Sequence, residues 1–263
     1  MPQPHVLEAV LRAARRTPGY PQSPSTAAAL RALDLSAGRG EIASALARDG
    51  LTVRATHFRV DDYKLKDAPP PDPAVALDLD VDLTRPLPYG NGAFDLVILS
   101  EVAEHLATYV PAIAEIGRVL TPGGRLILST PNLARLHSRW HFFWSGTHKL
   151  IRRRTGWDLS PDELYAYHIA PVDFPLLHTL LHQAGLSIER LDVTLFKKRH
   201  AWLMALYPFV WLTTRIETRR RRQGAEHARG EEDLFRWMVK PAMLVSEQLL
   251  VTAVKTGSRG VSP

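Results

Sequence analysis

The sequence predicts an α/β fold: a seven-stranded, mostly parallel sheet with helices on both faces and a helical insertion before the last strand. Three observations carry this expectation. Short apolar runs alternate with helical stretches along the first two thirds of the chain, the order of strands joined by right-handed crossovers. Two runs, Phe94-Asp-Leu-Val-Ile-Leu-Ser100 and Arg125-Leu-Ile-Leu-Ser-Thr130, are nearly all apolar, as strands covered on both faces are. Small-residue turns and acids follow the strand ends, where open α/β sheets bind ligands.

Taken in order, residues 6–16 place Val6, Leu7, Val10 and Leu11 at helical spacing. Residues 17–25 form a proline-rich loop, 30–35 a short strand, 36–40 a turn of small residues and 41–48 a helix. A second strand covers 51–56 and a proline-rich loop 67–73. Residues 75–81 alternate apolar and acidic side chains, as an edge strand does. The apolar run 94–100 is a buried strand, 102–120 a helix, 121–124 a turn and 125–130 another buried strand. A helix over 174–184 closes at Gly185. The strand 186–193 follows, and 247–255 is the last strand. Domain organisation reads as a helix and loop (1–26), an α/β core (27–195), a basic and aromatic helical lid (196–246), the last core strand (247–256) and a tail (257–263).

Composition narrows the function classes. The chain has 263 residues, 45% hydrophobic and 23% charged, which excludes a wholly disordered chain, a collagen-like fibre and a polytopic membrane protein. It has no cysteine, so thiolate nucleophiles, disulfides, iron–sulfur clusters and cysteine-ligated zinc are excluded. With no apolar leader at the amino terminus, the expectation is a cytoplasmic protein. The formal net charge is +6, and the lid holds 11 basic against 5 acidic side chains, so the positive excess belongs to the lid.

Four motifs carry chemistry. The first is Leu33-Asp-Leu-Ser-Ala-Gly-Arg-Gly-Glu41, an acid at a strand end followed by a turn that opens a helix. It lacks the G-x-G-x-x-G of dinucleotide sites and the Gly-Lys-Ser/Thr of phosphate loops, and its acid suits a cationic or amino-bearing ligand. The second is Val81-Asp-Leu-Thr-Arg-Pro-Leu-Pro-Tyr89, the third Ser100-Glu-Val-Ala-Glu-His-Leu106, and the fourth runs from Glu115 through Leu120-Thr-Pro-Gly-Gly124 into Leu128-Ser-Thr-Pro-Asn132.

In this order the motifs resemble those of the class I S-adenosylmethionine-dependent methyltransferases, most closely the branch with ubiquinone-type O-methyltransferases. The resemblance covers residues 28–195 and the last strand, and it implies a Rossmann-like seven-stranded sheet, mostly parallel with the last strand antiparallel. It implies that Asp34, Ser36, Gly38 and Gly40 line the methionine part of S-adenosylmethionine. It implies that Asp82 and Leu83 hold the adenine, and that Ser100 and Glu101 lie over the sulfonium. Two positions depart from the family pattern. Ser36 stands at the first glycine of the turn, a mild change where its backbone is not left-handed. His57 stands where the family has an acid for the ribose hydroxyls; it is assigned that contact, with Asp61 or Asp62 as alternatives.

Methyl transfer draws mostly on proximity and orientation, and a hydroxyl acceptor also gains from a general base. His105 follows Glu101 by four residues, one helical face, so Glu101 is expected to orient His105 as that base. The alternative is a His105 that only packs beside the cofactor. His137, His141, His148 and His168 fall in the region expected to cover the acceptor. No metal site is expected, because no two of them have ligand spacing with carboxylates nearby. The expected acceptor is a small-molecule, sugar or lipid-linked hydroxyl. A non-catalytic binding or scaffold protein of the same fold is the alternative, and a nucleic-acid methyltransferase the third reading. Nucleic acid is not the expected partner, since no aromatic residues interleave Arg219, Arg220, Arg221 and Arg222. Instead residues 201–212, with Trp202, Tyr207, Phe209 and Trp211 between arginine clusters, suit a lid that also touches an anionic membrane surface.

Overall fold

The computed structural model describes residues 3–22, 30–57, 72–148, 157, 168–221 and 224–256. Asp61, Asp62, Arg222, most of the 67–73 loop and the 257–263 tail lie outside them.

Seven strands form one sheet: β1 (Arg31–Asp34), β2 (Thr52–Thr56), β3 (Val75–Asp78), β4 (Phe94–Ser100), β5 (Leu120–Pro131), β6 (Leu186–Val193) and β7 (Gln248–Lys255), in the order β3-β2-β1-β4-β5-β7-β6. The pairs from β3 to β5 are parallel, and β7 runs antiparallel to both of its neighbours. This is the architecture the apolar runs predict. Alternation along the strands splits their side chains between two cores. Leu33, Val97, Leu99, Leu126 and Leu128 pack on one face with α3 (Val110–Val119) and α5 (Phe174–Gln183). Ala32, Leu96, Ile98 and Ile127 pack on the other with α1 (Pro4–Ala14) and α2 (Glu41–Arg48).

A third, smaller cluster of Leu136, Leu203, Val210 and Leu244 holds a cap together at one end of the sheet. The cap consists of α4 (Leu136–Ser145), a 3-10 segment Lys198–Leu206, α6 (Tyr207–Arg220) and α8 (Pro241–Val245). The long α7 (Gly224–Met238) packs on α6 and α8 and sends Trp237 into the main core. None of the described helices is long and apolar enough to cross a membrane.

Two local expectations are corrected. The helix read over residues 102–120 is instead a 3-10 turn at Ala103–His105, a short loop, and then α3 from Val110. Pro111 explains the break: a proline is tolerated in the first turn of a helix, whereas deeper inside it removes a hydrogen bond and clashes with the preceding turn. The turn read over 121–124 lies within β5 as a bulge, with Gly123 at φ +81 and the register against β4 shifted between Phe94 and Leu96.

Candidate active site

The carboxyl ends of β1, β2, β4 and β5 meet at the capped end of the sheet. Asp34 ends β1, is 2% exposed, and has its carboxyl pushed up to about 7 by burial, offset in part by a hydrogen bond from the backbone N–H of Ala43. Its Oδ2 has no hydrogen-bond partner among the described residues. A buried carboxylate oxygen without a donor fits a ligand that brings a donor, and an amino or cationic group best. The turn after it has Ser36 at φ +55, Gly38 at φ +56 and Gly40 at φ +72. Ser36 is thus left-handed after all, a conformation that costs a non-glycine residue on the order of 1–2 kcal/mol. Its N–H donates to Thr56 Oγ1 at 2.9 Å, which ties the turn to the end of β2. A side chain at Gly38 would meet nothing within 4 Å, so the turn borders open space rather than packed core.

His57 follows β2. Its backbone accepts from Val81 N–H (3.0 Å) and donates to the Asp78 carbonyl (2.9 Å), and its partly buried ring has its pKa lowered by desolvation. The neutral imidazole offers one donor and one acceptor, a match for a ribose hydroxyl that a carboxylate meets only as acceptor. Asp82 Oδ1 accepts from Thr84 N–H (2.8 Å) and Thr84 Oγ1 (2.7 Å), bonds that hold its pKa down, and its Oδ2 lies 3.4 Å from Arg85. One of its oxygens is therefore already engaged by its own loop. Leu83 is 3% exposed with its side chain in the main core, so only its main chain can face a ligand.

At the end of β4, Ser100 Oγ and Ser129 Oγ are 2.9 Å apart, and Ser129 Oγ donates to Glu101 Oε1 at 3.0 Å. Glu101 and His105 do not share a helical face as expected: Glu101 has φ +55 and lies before the 3-10 turn. Around His105 the fold also brings Glu104 and His168. The rings of His105 and His168 meet edge to face at 4.9 Å, and one ligand atom from each of Glu104, His105 and His168 lies within 4.8 Å of the others. Glu104 is 1% exposed and accepts from Thr130 Oγ1 at 3.0 Å. A carboxylate with two imidazoles can hold and orient a proton-transferring ring, and it is also a donor set compatible with a divalent cation, where no metal site was expected. Glu104 was within the quoted motif; its meeting with His168, 64 positions on, had no spacing signal.

A mainly apolar pocket opens beside this cluster, lined by Glu104, Pro131, Leu133, His148, His168 and Val172. His148 Nδ1 is 2.8 Å from Ser138 Oγ, and its pKa is lowered by burial and by His141. Of the other cap histidines, His137 stacks on His200 and His141 bonds to the Ser145–Thr147 turn that ends α4. Among the described residues, Ser36, Asp80, Glu101 and His168 are the non-glycine residues at positive φ, and three of these four border the site. Such strain gathers where the surroundings fix a geometry that function uses.

Comparison with known proteins adds to this geometry. The profile of the Methyltransferase domain family matches residues 33–128, from the core of β1 through β5. A demethylmenaquinone methyltransferase of Beutenbergia cavernae is 34% identical over 116 residues, 43% of this chain and 47% of that protein. A ubiquinone biosynthesis O-methyltransferase of Caulobacter sp. (strain K31) is 31% identical over 157 residues, 55% of this chain and 60% of that protein. The chain thus spans about half the length of the curated relatives it matches. Among solved structures, an S-adenosylmethionine dependent methyltransferase of Mesorhizobium loti aligns over 94% of this chain and 99% of its own, with a TM-score of 0.51 at 16% identity. A Bacillus halodurans protein aligns over 95% and 99%, with a TM-score of 0.55 at 19% identity. These two likenesses establish the fold.

Proposed function

From the premise that this chain carries a class I S-adenosylmethionine-dependent methyltransferase domain, we propose that it transfers a methyl group to a hydroxyl oxygen of a small, quinone-type or lipid-linked acceptor. The observation that carries the proposal is the meeting, at one end of the sheet, of the open Gly38 turn with its buried Asp34 and of the Glu104–His105–His168 cluster beside an apolar pocket. When bound, S-adenosylmethionine supplies a methyl group already activated on a sulfonium.

In this reading Asp34 takes the ligand's amino group, and the Ser36–Gly40 turn lets the backbone approach it. His57 meets the ribose. Asp82 and the main chain of Leu83 border the adenine, and Ser100 lies towards the sulfonium. The apolar pocket holds the acceptor ring and excludes water. His105, positioned by Glu104 and His168, takes the proton from the acceptor hydroxyl as its oxygen bonds to the methyl carbon and the sulfur–carbon electron pair returns to sulfur. The test is transfer of labelled methyl to a polyhydroxylated aromatic acceptor. His105→Gln should lower kcat by about 10²–10⁴-fold, the usual share of a general base, while S-adenosylmethionine binding persists. An unchanged kcat overturns the base. Activity lost to a chelator and restored by a divalent cation reassigns His105 as a metal ligand. A protein that binds neither S-adenosylmethionine nor S-adenosylhomocysteine is the non-catalytic alternative.

The reading includes the surface from which the acceptor arrives. Phe143 and Trp144 on α4 are 73% and 68% exposed, as are Trp202 (57%) and Phe209 (67%) of the cap, with Trp140 and Trp202 in contact at 5.5 Å. Lys198, Arg199, Arg219, Arg220 and Arg221 are exposed on the same cap elements. Aromatic rings flanked by cations suit the head-group region of an anionic bilayer. Flotation with anionic liposomes at low salt, lost at high salt and on changing Arg219, Arg220 and Arg221 to Ser, is the expected result. No flotation under any condition removes the membrane from the proposal.

A further inference from the structure

A second cavity lies at the same end of the sheet, beyond the apolar pocket. Among the described residues its lining includes Arg135, His137, Lys197 and His200 and no acidic side chain. Arg135 comes from the segment between β5 and α4, and Lys197 and His200 from the start of the cap after β6. His137 and His200 stack with ring centroids 3.8 Å apart. Behind the cavity a single carboxylate, Glu247, is shared: it pairs with Lys197, lies 3.8 Å from Arg135 Nη1 and 3.9 Å from His5 Nε2.

Arg135 is the telling residue. Its side chain is 8% exposed, and its Nε–H has no hydrogen-bond acceptor among the described residues. Burial lowers its pKa, and the nearby Glu247 carboxylate offsets this only in part. A buried guanidinium is tolerated when its planar fork is met by oxyanions, and here one carboxylate at 3.8 Å serves two permanent cations. Among the described residues these two cations share that one carboxylate, and the cavity beside them is open to a second oxyanion.

We propose that this cavity binds a carboxylate or phosphate group of the methyl acceptor, through Arg135 and Lys197 with the stacked His137–His200 pair at its rim. The inference rests on the functional reading above and deepens it. Leu133 lines the apolar pocket and Arg135 the cationic one, and the Cα atoms of these two residues are at most about 7 Å apart. In this reading one acceptor places its ring in the first and its anionic group in the second. The acceptor class becomes an oxygen-bearing ring with an acidic substituent, and the acid fixes which hydroxyl faces His105.

The test is thermal unfolding and calorimetry of the full chain with inorganic phosphate and with benzoate, at ionic strength held constant with chloride. S-adenosylhomocysteine is titrated into the same samples. Expected are saturable binding of at least one of the two anions and a raised melting temperature. The anion affinity should fall about tenfold or more in Arg135→Gln and in Lys197→Met, with S-adenosylhomocysteine binding unchanged. Lys197 is 34% exposed, so its replacement reports even where Arg135→Gln fails to fold. Preference for phosphate or for benzoate tells which acid the acceptor carries. No saturable anion binding, or equal affinity in the variants, overturns the anionic subsite while intact S-adenosylhomocysteine binding leaves the methyltransferase reading standing. Anion binding without S-adenosylhomocysteine binding overturns the assignment to an acceptor.

Discussion

At Asp34, burial and chemistry pull against each other. A carboxyl raised from 3.8 to about 7 is protonated more readily in the fold than in the unfolded chain. The folded state therefore holds the extra proton between these values, and stability falls as pH rises from the unfolded value through about 7. Above that, the ionised group costs up to about 4 kcal/mol, at ~1.4 kcal/mol per unit. Asp34→Asn keeps an acceptor for Ala43 N–H and removes the charge, so it should be more stable than the wild type at pH 8 by denaturant unfolding and match it near pH 4. The same variant should lose most of its affinity for a cationic ligand. In the wild type that affinity should drop roughly tenfold per unit as pH falls below 7, since the ligand needs the carboxylate. Equal stability at both pH values would show that water already reaches the carboxyl. The acid at a strand end was visible in the sequence. The left-handed backbone at Ser36 was not, because a serine gives no such signal where a glycine would.

At the scale of elements, α3 and α5 meet at Gly117. A methyl group there would lie 2.4 Å from the Ala184 carbonyl and 2.8 Å from its Cβ. Gly117→Ala should therefore destabilise by about 1–3 kcal/mol, although alanine is the better helix former, because overpacking against a backbone carbonyl outweighs propensity. Urea unfolding measures it; a stabilised variant would mean the two helices separate at little cost. Elements bounded by abrupt changes of residue type were legible in the sequence. The strand from Phe94 to Ser100 and the helix from Glu41 to Arg48 have the limits their patterns predict. The start of α3 was misread because its apolar spacing continues back past Pro111. α4 was missed: its apolar side chains are mostly exposed aromatics, so it lacks the buried stripe by which a helix announces itself. The clusters that define the site, Glu104 with His168 and Arg135 with Lys197, join segments some 60 residues apart, and a sequence read locally has no signal for that meeting.

Over the whole molecule, charge and apolar exposure are segregated. The α/β core hides its apolar strands on two faces, while the cap carries the basic excess and the exposed tryptophans and phenylalanines at the carboxyl end of the parallel strands. The Gly38 turn, the apolar pocket, the cationic cavity and the cap thus lie in one direction from the sheet, the arrangement that the proposed function requires. All of this depends on S-adenosylmethionine entering at the Gly38 turn. Calorimetry at pH 8 with S-adenosylmethionine tests that directly. The wild type should bind one equivalent. Gly38→Trp, whose side chain would fill the open space by the turn, should show no binding while still melting in one cooperative step, at a temperature lowered by the strain of a side chain at φ +56. Absence of binding to the wild type, or equal affinity in Gly38→Trp, would contradict the account.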